Sequence, residues 1–243
     1  MKISLENVGR SQAARQFLTA GLLLIAAGSG AAIAAPPAAD SKKASGAAGA
    51  ANSSGSGWRA LFDGKSLEGW KSTNFGGEGD VVVKDGMIIL EFGTSLTGIS
   101  YKDASDLPKT NYEVELQAMR LDGSDFFCGL TFPVADSFCS FIVGGWAGGV
   151  VGLSSIDGRD ASENDTTRYK VFDSNRWYTI RVRVTPANIS AWIDDQQMVD
   201  QDIENRRVST RAEVDLSQPL GVASYETRAA LRNIRIRRLD AAK

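Results

Sequence analysis

The stretch DFFCGLTFPVADSFCSFIVGGWAGGVVGLSSIDGRD, Asp125–Asp160, contains two apolar segments on either side of a turn. The segments Asp125–Thr131 and Ser137–Gly144 are predicted to be strands. Between them lies Phe132–Ala135, whose proline fixes φ at about −65° and favours a four-residue turn. The sequence therefore predicts an antiparallel hairpin.

Alternation of side chains along these two strands separates a core face from an outer face. The predicted core face carries Phe126, Cys128, Leu130, Cys139, Phe141 and Val143. The predicted outer face carries Asp125, Phe127, Thr131, Phe138 and Ser140. Cys128 is expected to lie opposite Cys139, and a disulfide and a pair of free thiols both stay open, because a slip of two residues would separate the sulfur atoms.

The rest of the chain after residue 57 also shows patterns typical of strands and turns. Turn residues at Lys84–Gly86 and at Asp194-Asp195 predict two further hairpins. Polar and apolar residues alternate in Asn111–Leu121, in Trp177–Pro186 and in the closing segment Ala229–Leu239. Many alternating strands with turns between them predict a β-sandwich or jelly roll.

Charged residues on three of these strands are predicted to pair across a solvated sheet face. The glutamates and the glutamine oppose arginines at matching positions: Glu113, Glu115 and Gln117 against Arg181, Arg183 and Arg235. Such exposed cross-strand pairs contribute at most about 1 kcal/mol each.

Composition excludes several functions. The net charge of −2 gives no electrostatic basis for binding nucleic acid. The chain has no histidine, which excludes Ser-His-Asp catalysis, Cys-His catalysis and histidine metal sites. The apolar fraction of 43% is sufficient for a folded core.

The first 57 residues are predicted to lie outside the folded domain. Residues 1–35 have a basic start, an apolar run and the small-residue site Ala32–Ala34, which together predict a cleaved signal peptide. The alternative is an N-terminal membrane anchor, since the run is just long enough to span a bilayer. Residues 36–57 are rich in Ala, Gly and Ser and predict a flexible linker to a domain at 58–240. We therefore expect a periplasmic or secreted protein without stable membrane insertion after cleavage.

The opening of this domain, GWRALFDGKSLEGW at Gly57–Trp70, resembles the 3-keto-disaccharide hydrolase domain family, also described as 3-keto-glucoside lyase and 3-keto-2-hydroxy-glucal hydratase. The closing strand Leu231–Leu239 is similar to the terminal strand of that family, and RWYTIRVRV with AWIDDQQMVD is similar to its late strand and hairpin. The resemblance spans Trp58–Leu239. It implies a concanavalin A/laminin-G-like jelly roll.

The resemblance also implies an activity on glycosides oxidised at C3 of the sugar. A ketone there acidifies the C2 proton, a base removes it, the glycosidic oxygen leaves from C1, and water then adds to the glucal. Such chemistry needs a base, a stabiliser for the enolate and an acid. The resemblance leaves a divalent metal open, although no histidine ligand is available.

The candidate site is the outer face of the Asp125–Gly144 hairpin with the polar loop that follows. We predict catalytic roles for Asp125, Asp157 and Arg159, and substrate contacts from Phe127, Ser140, Trp146, Asp160 and Glu163. Without histidine a carboxylate must serve as base, and burial beside aromatic rings would raise the pKa of such a carboxylate. No residue is assigned to a metal.

Two functions follow from these residues. The first is an exported enzyme that cleaves 3-keto-glycosides. The second is a non-catalytic carbohydrate-binding or interaction module. A groove holding a carboxylate of raised pKa beside Arg159 would favour the enzyme, whereas aromatic rings without a buried carboxylate would favour the module.

Overall fold

The computed structural model describes residues 57–240, in which strands dominate. The predicted signal peptide and residues 36–56 of the predicted linker lie outside the described residues. In chain order the strands are β1 (Arg59–Ala60), β2 (Trp70–Ser72), β3 (Val81–Lys84), β4 (Met87–Leu90), β5 (Leu96–Tyr101), β6 (Tyr112–Gly123), β7 (Cys128–Val134), β8 (Ser137–Gly144), β9 (Val150–Ser154), β10 (Arg168–Tyr169), β11 (Tyr178–Val184), β12 (Asn188–Ile193), β13 (Gln196–Asp202), β14 (Gly221–Tyr225) and β15 (Thr227–Arg238).

Helical structure in this part of the chain is limited to short segments. Two 3₁₀ helices cover Ala104–Asp106 and Ala212–Ser217, and one helical turn covers Gly145–Gly148. Among the described residues, no helix combines the length and apolar composition needed to cross a membrane.

The strands form two antiparallel sheets. Sheet A has the order β13-β12-β11-β6-β15-β4-β3, with β1 added beside β15. Sheet B has the order β10-β9-β8-β7-β14-β5-β2. One hydrophobic core combines the inward side chains of both sheets, including Leu116 and Tyr178 from sheet A with Leu130 and Phe141 from sheet B. The predicted all-β jelly-roll sandwich is therefore confirmed.

The hairpin β7–β8 has a different register from the predicted one. Its turn is the pair Ala135-Asp136 with Ala135 at a φ of 50°, and Pro133 lies inside β7 opposite Phe138. The strand accommodates this proline because β14, its other neighbour, pairs with β7 only at 129–131. The prediction of a turn at Phe132–Ala135 was wrong.

The new register separates the two cysteines. Cys128 lies opposite Val143 and Cys139 lies opposite Phe132. Both thiols are free and fully buried in the core, where burial raises the pKa of each. The prediction that they face each other was wrong, and the structure contains no disulfide between them.

The segment before β7 reverses two predicted side-chain directions. Phe127 is fully buried in the core against Phe172 and Tyr178, whereas Phe126 lies on the outer face of sheet B. Alternation fails here because ladder pairing begins only at Cys128, so neither phenylalanine follows the pleat of the strand.

Candidate functional site

The outer face of sheet B has a floor of small residues. Gly98, Ala223, Gly129 and Ile142 are successive partners across four neighbouring strands. Three of these four side chains are glycine or alanine, so they leave a depression in the sheet surface. A face built this way leaves room for other groups to approach the backbone.

The ring of Phe126 lies in this depression. A Cβ atom added to Gly129 would come within 3.0 Å of the Phe126 ring, so the glycine is needed for this approach. Phe126 stacks on Tyr225 with ring centroids 5.9 Å apart and an interplanar angle of 24°. The Tyr225 backbone N–H also donates to the Phe126 carbonyl at 3.0 Å, which fixes the aromatic pair in place.

An open cavity of about 290 Å³ lies beside this aromatic pair; we call it the sheet B cavity. Its carbon-rich lining comes from Leu96, Phe126, Ile142, Trp146, Val214 and Tyr225. Its polar lining comes from Asp125, Ser154, Arg211 and Glu213. Concave, largely apolar sites with a few polar groups are the usual places where proteins bind small ligands.

Asp125 joins the aromatic pair to the turn that carries Trp146. Its carboxylate accepts hydrogen bonds from the backbone N–H groups of Phe126 at 2.7 Å and of Ala147 at 3.0 Å. Its own backbone N–H donates to Thr227 Oγ1 at 3.0 Å. This predicted site residue therefore lines the cavity.

The Gly145–Gly148 turn presents the indole of Trp146 to solvent and to the cavity. Trp146 adopts a φ of 47° and its side chain is 39% exposed. Arg120 holds the turn from below by donating to the carbonyls of Asp125, Gly144 and Gly148 at 3.1–3.4 Å. Burial lowers the pKa of Arg120, which remains a cation at physiological pH.

Arg211 also lines the cavity, and ion pairs hold its guanidinium in place. Its guanidinium donates to Asp160 at 2.9 Å and to Glu213 at 2.8 Å. The hydrogen bond from Arg211 lowers the pKa of the Glu213 carboxyl. The charge of Glu163 also acts on Arg211. Asp160 and Glu163, both predicted site residues, therefore support the cavity wall and do not line the cavity.

Among the side chains that line this cavity, the phenol of Tyr225 is the candidate proton donor. The negative charge of Glu226 raises the pKa of its phenol, with smaller contributions from burial and from the charge of Asp125. Tyr225 is therefore protonated at neutral pH, close enough to Asp125 to feel its charge.

Ser154 adds an unused hydrogen-bonding group. Its side chain is fully buried at the cavity lining, and its Oγ has no hydrogen-bond partner among residues 57–240. A buried hydroxyl without a partner loses free energy, and a ligand hydroxyl can restore that hydrogen bond.

Four predicted site residues lie elsewhere. Asp157 pairs with Arg206 at 2.6 Å in an exposed turn, and its pKa is lowered by the backbone N–H of Arg207 and by Arg206, contrary to the rise expected for a buried base. Arg159 is exposed in the same turn and does not line the sheet B cavity. Ser140 is buried in a hydrogen bond with Thr131, and Phe127 lies in the core.

Sequence reasoning missed eight of the ten residues that line the cavity. The prediction omitted Leu96, Phe126, Ile142, Ser154, Arg211, Glu213, Val214 and Tyr225. Phe126 was assigned to the wrong face, Ile142 and Ser154 lie on β8 and β9, and the others lie on β5, on β14 or around the 3₁₀ helix Ala212–Ser217. No local sequence pattern marks these segments as parts of one site.

The described residues do not fit the divalent metal that the family resemblance left open. Within residues 57–240, no group of three or more Cys, Asp and Glu side chains is arranged to hold a metal ion.

Fold and site together define a jelly-roll sandwich with a ligand cavity on the outer face of one sheet. The family model described as the 3-keto-alpha-glucoside-1,2-lyase-like domain matches residues 57–237. The chain therefore belongs to this family, and the family predicted from its sequence is confirmed. No curated protein matches the chain.

Solved structures with the same fold include carbohydrate-active proteins. One, reported for endo-acting O-glycanases of the human gut microbiota, is 12% identical, with 75% of this chain and all of that chain (100%) covered and a TM-score of 0.51. Crh5 transglycosylase in complex with NAG is 12% identical, with 76% and 85% covered and a TM-score of 0.51. A carbohydrate-binding module from Bacillus subtilis is 12% identical, with 70% and 95% covered and a TM-score of 0.43. At 12% identity, the likeness to the first two structures shows the fold alone.

Proposed function

We propose that this protein binds a 3-keto-glycoside in the sheet B cavity and cleaves it by elimination followed by hydration. The observation that carries the proposal is that Asp125 and Tyr225 share one cavity with the aromatic rings of Phe126 and Trp146, in a chain of this family. Aromatic faces pack against the C–H faces of sugar rings, while carboxylates and guanidinium groups bond to the hydroxyls.

Each chemical role has a candidate in the cavity. Asp125 takes the C2 proton, and the electrons of that C–H bond form the enolate of the C3 ketone. Arg211 supplies a cation for the developing negative charge. The C1–O bond then breaks, and Tyr225 gives a proton to the departing oxygen. Water later adds at C1 while C2 regains a proton, so the net reaction is hydrolysis.

Asp125 replaces Asp157 as the base for two reasons. Asp157 lies in an exposed turn outside the cavity, and its pairing with Arg206 lowers its pKa, which makes it a weaker base. Arg211 replaces Arg159 as the cation, since Arg211 lines the cavity.

Export belongs to the same proposal. The basic start, apolar run and small-residue site within residues 1–35 support a periplasmic or secreted protein that begins near Ala35. N-terminal sequencing of exported protein tests this, and retention of residues 1–20 in the membrane fraction would favour an N-terminal anchor.

The decisive experiment incubates purified protein with a 3-keto-disaccharide and with a 3-keto-aryl glucoside, with and without a chelator, and analyses the products. Asp125→Asn should lower turnover about 100-fold or more, because a general base contributes at least that factor. Asp157→Asn is the matched control and should keep full activity. Circular dichroism and glucoside binding confirm that the Asp125→Asn protein is folded, since the amide replaces an acceptor of two backbone hydrogen bonds.

A second candidate function is a non-catalytic carbohydrate-binding module. It is favoured by the way the cavity carboxylates are held: Asp125 accepts two backbone N–H groups, and Glu213 is paired with Arg211. If the wild-type protein binds glucosides but converts no 3-keto-glycoside, the binding module is the correct function.

A further inference from the structure

The sheet B cavity has one side with few hydrogen-bonding groups. Leu96 lies directly opposite Tyr225 across β5 and β14, and Val214 of the 3₁₀ helix packs with Leu96 on Ala223. The rings of Phe126 and Tyr225 pack against this cluster. Leu96 and Val214 are 6% and 8% exposed, so their side chains form a fixed apolar wall.

The polar groups of the lining are Asp125, Ser154, Arg211 and Glu213, of which Arg211 and Glu213 lie beside Val214 at the start of the same 3₁₀ helix. Asp125 is attached to the Gly145–Gly148 turn through its hydrogen bond to Ala147, and Arg211 and Glu213 form an ion pair. Ser154 presents the unpartnered hydroxyl. Together they offer two carboxylates, one guanidinium and one hydroxyl to the hydroxyls of a sugar ring.

A second sugar ring would bring several more hydroxyls to the apolar wall. Leu96, Val214 and the faces of the two rings offer them no donor or acceptor comparable to water. Each hydroxyl buried without a partner loses its hydration, whereas a flat apolar group gains from leaving water. The apolar wall therefore favours a leaving group without hydroxyls.

The proton donor available to the leaving group also favours a leaving group other than a second sugar. The chain contains no histidine, and the proton donor among the cavity groups is the phenol of Tyr225, whose pKa is raised by Glu226. A weak acid assists the departure of a sugar alkoxide poorly. A phenolate leaves with little help, because it carries the negative charge far better than an alkoxide does.

We propose that the substrates of this site are 3-keto-glycosides whose leaving group is an apolar, phenol-type aglycone seated against Leu96, Val214, Phe126 and Tyr225. This inference rests on the proposed function and narrows its substrate class. It distinguishes the protein from an enzyme whose leaving group is a second sugar.

The bond changes balance without a further reactant. Asp125 removes the C2 proton, the C2–H electron pair becomes the C1=C2 double bond by way of the enolate, and the C1–O pair leaves with the phenolate. The phenolate takes one proton, from Tyr225 or from water, and Tyr225 recovers its proton from the protonated Asp125 through solvent. The products are the 2-hydroxy-3-keto-glucal and the free phenol.

The first test is binding by the full exported chain, measured by calorimetry with unoxidised probes that do not react. The probes are phenyl α- and β-glucosides against maltose and cellobiose. We expect at least one phenyl glucoside to bind about 10-fold or more tightly than either disaccharide, from replacing unpartnered hydroxyls by apolar contact. The 3-keto forms should show the same order in the rate of cleavage.

A pair of matched variants tests the apolar wall. Val214→Thr keeps the side-chain shape and adds a hydroxyl at the wall, so it should reduce the preference for phenyl glucosides several-fold. Val171→Thr makes the same change at a residue that is 90% exposed and does not line the cavity, and should leave the preference unchanged. Melting temperatures of both variants exclude a general loss of folding.

The outcomes separate this inference from the proposed function. Equal binding and equal cleavage of disaccharides and phenyl glucosides would overturn the aglycone inference and leave the proposed function intact. An unchanged preference in Val214→Thr would also overturn it. Binding of neither class of probe, with no cleavage of any 3-keto form, would overturn the proposed function and the inference with it.

Discussion

The outer faces of the two sheets differ in how far side chains cover the backbone. On sheet A, large side chains cover the strands: the guanidinium of Arg181 lies 4.5 Å from the ring centre of Trp192, that of Arg232 lies 4.0 Å from Trp177, and that of Arg235 lies 4.7 Å from Trp58. On sheet B, glycine and alanine leave the backbone uncovered and a cavity forms.

The hydrogen bonds of Glu113 show that polar side chains on the outer face of sheet A are partners of one another. Its side chain is fully buried and accepts from Arg183 and from Arg237 on the two neighbouring strands. The predicted arginine–glutamate pairing is confirmed for Arg183 with Glu113 and for Arg235 with Glu115. The Glu113 carboxylate is not solvated as expected, because tryptophan and arginine side chains cover it.

The two outer faces also differ in the space that they leave for a ligand. Arginine, tryptophan and glutamate side chains on sheet A already use one another as partners, so a ligand there must first displace them. Sheet B instead leaves the Ser154 hydroxyl without a hydrogen-bond partner in the described part of the chain, and the aromatic pair Phe126–Tyr225 borders the cavity. Function is therefore expected on sheet B and stability on sheet A.

The largest effect is expected from the buried carboxylate of sheet A. Glu113→Gln should lower the free energy of unfolding by about 2 kcal/mol, since hydrogen bonds to charged groups contribute about 1.5–3 kcal/mol. Urea unfolding measures it. Glu91→Gln is the control, because Glu91 pairs with Arg228 at an exposed site (35% and 39% exposed) and should cost under about 1 kcal/mol. Equal losses in the two variants would show that burial of Glu113 contributes nothing.

The next effect compares one tryptophan from each face. Trp146→Ala should weaken glucoside binding about 10-fold by removing a half-exposed ring from the cavity, with little change in the melting temperature. Trp192→Ala should lower stability by about 1 kcal/mol through the loss of cation–π contacts with Arg181 and Arg183, with unchanged binding. Reversed results would place the ligand surface on sheet A.

The smallest effect concerns the exposed turn that carries Asp157. Its pKa is lowered below the ordinary 3.8 by the backbone N–H of Arg207 and by Arg206. A carboxyl whose folded pKa is depressed adds stability at neutral pH, and this stability is lost as the pH falls through that folded value. Asp157→Asn should therefore reduce the difference between the urea midpoints measured at pH 7 and at pH 3. An unchanged difference would show that Asp157 and Arg206 do not pair in solution.

How much of this was predictable follows from how each face is built. Regular alternation in β6, β11 and β15 predicted the sandwich and two of its ion pairs, because strand geometry fixes which side chains share a face. The cavity instead depends on breaks in that geometry: the two-residue turn at Ala135-Asp136, the reversed direction of Phe126, and the arrival of Val214 from a segment far along the chain. These depend on tertiary packing, which local sequence patterns do not encode.

Asp125 and Trp146 are the two predicted site residues that line the cavity. Trp146 lies among glycines where the chain turns at a positive φ, so its position follows from nearby sequence, whereas Asp125 reaches this turn from 22 residues away by accepting a hydrogen bond from the Ala147 backbone N–H. Asp157 and Arg159 were placed in the site because they follow in the same loop. The Asp157-Gly158 pair instead forms an exposed turn pinned by Arg206 and Arg207.

The most direct test uses four of the five tryptophans as reporters, since Trp70 is buried in the core. Titration of ¹⁵N-labelled protein with phenyl glucoside, followed by indole N–H signals in two-dimensional NMR, measures which rings contact the sugar. We expect a saturable shift of the Trp146 signal, with the signals of Trp58, Trp177 and Trp192 unchanged. Shifts confined to those three tryptophans of sheet A, with Trp146 unmoved, would contradict it.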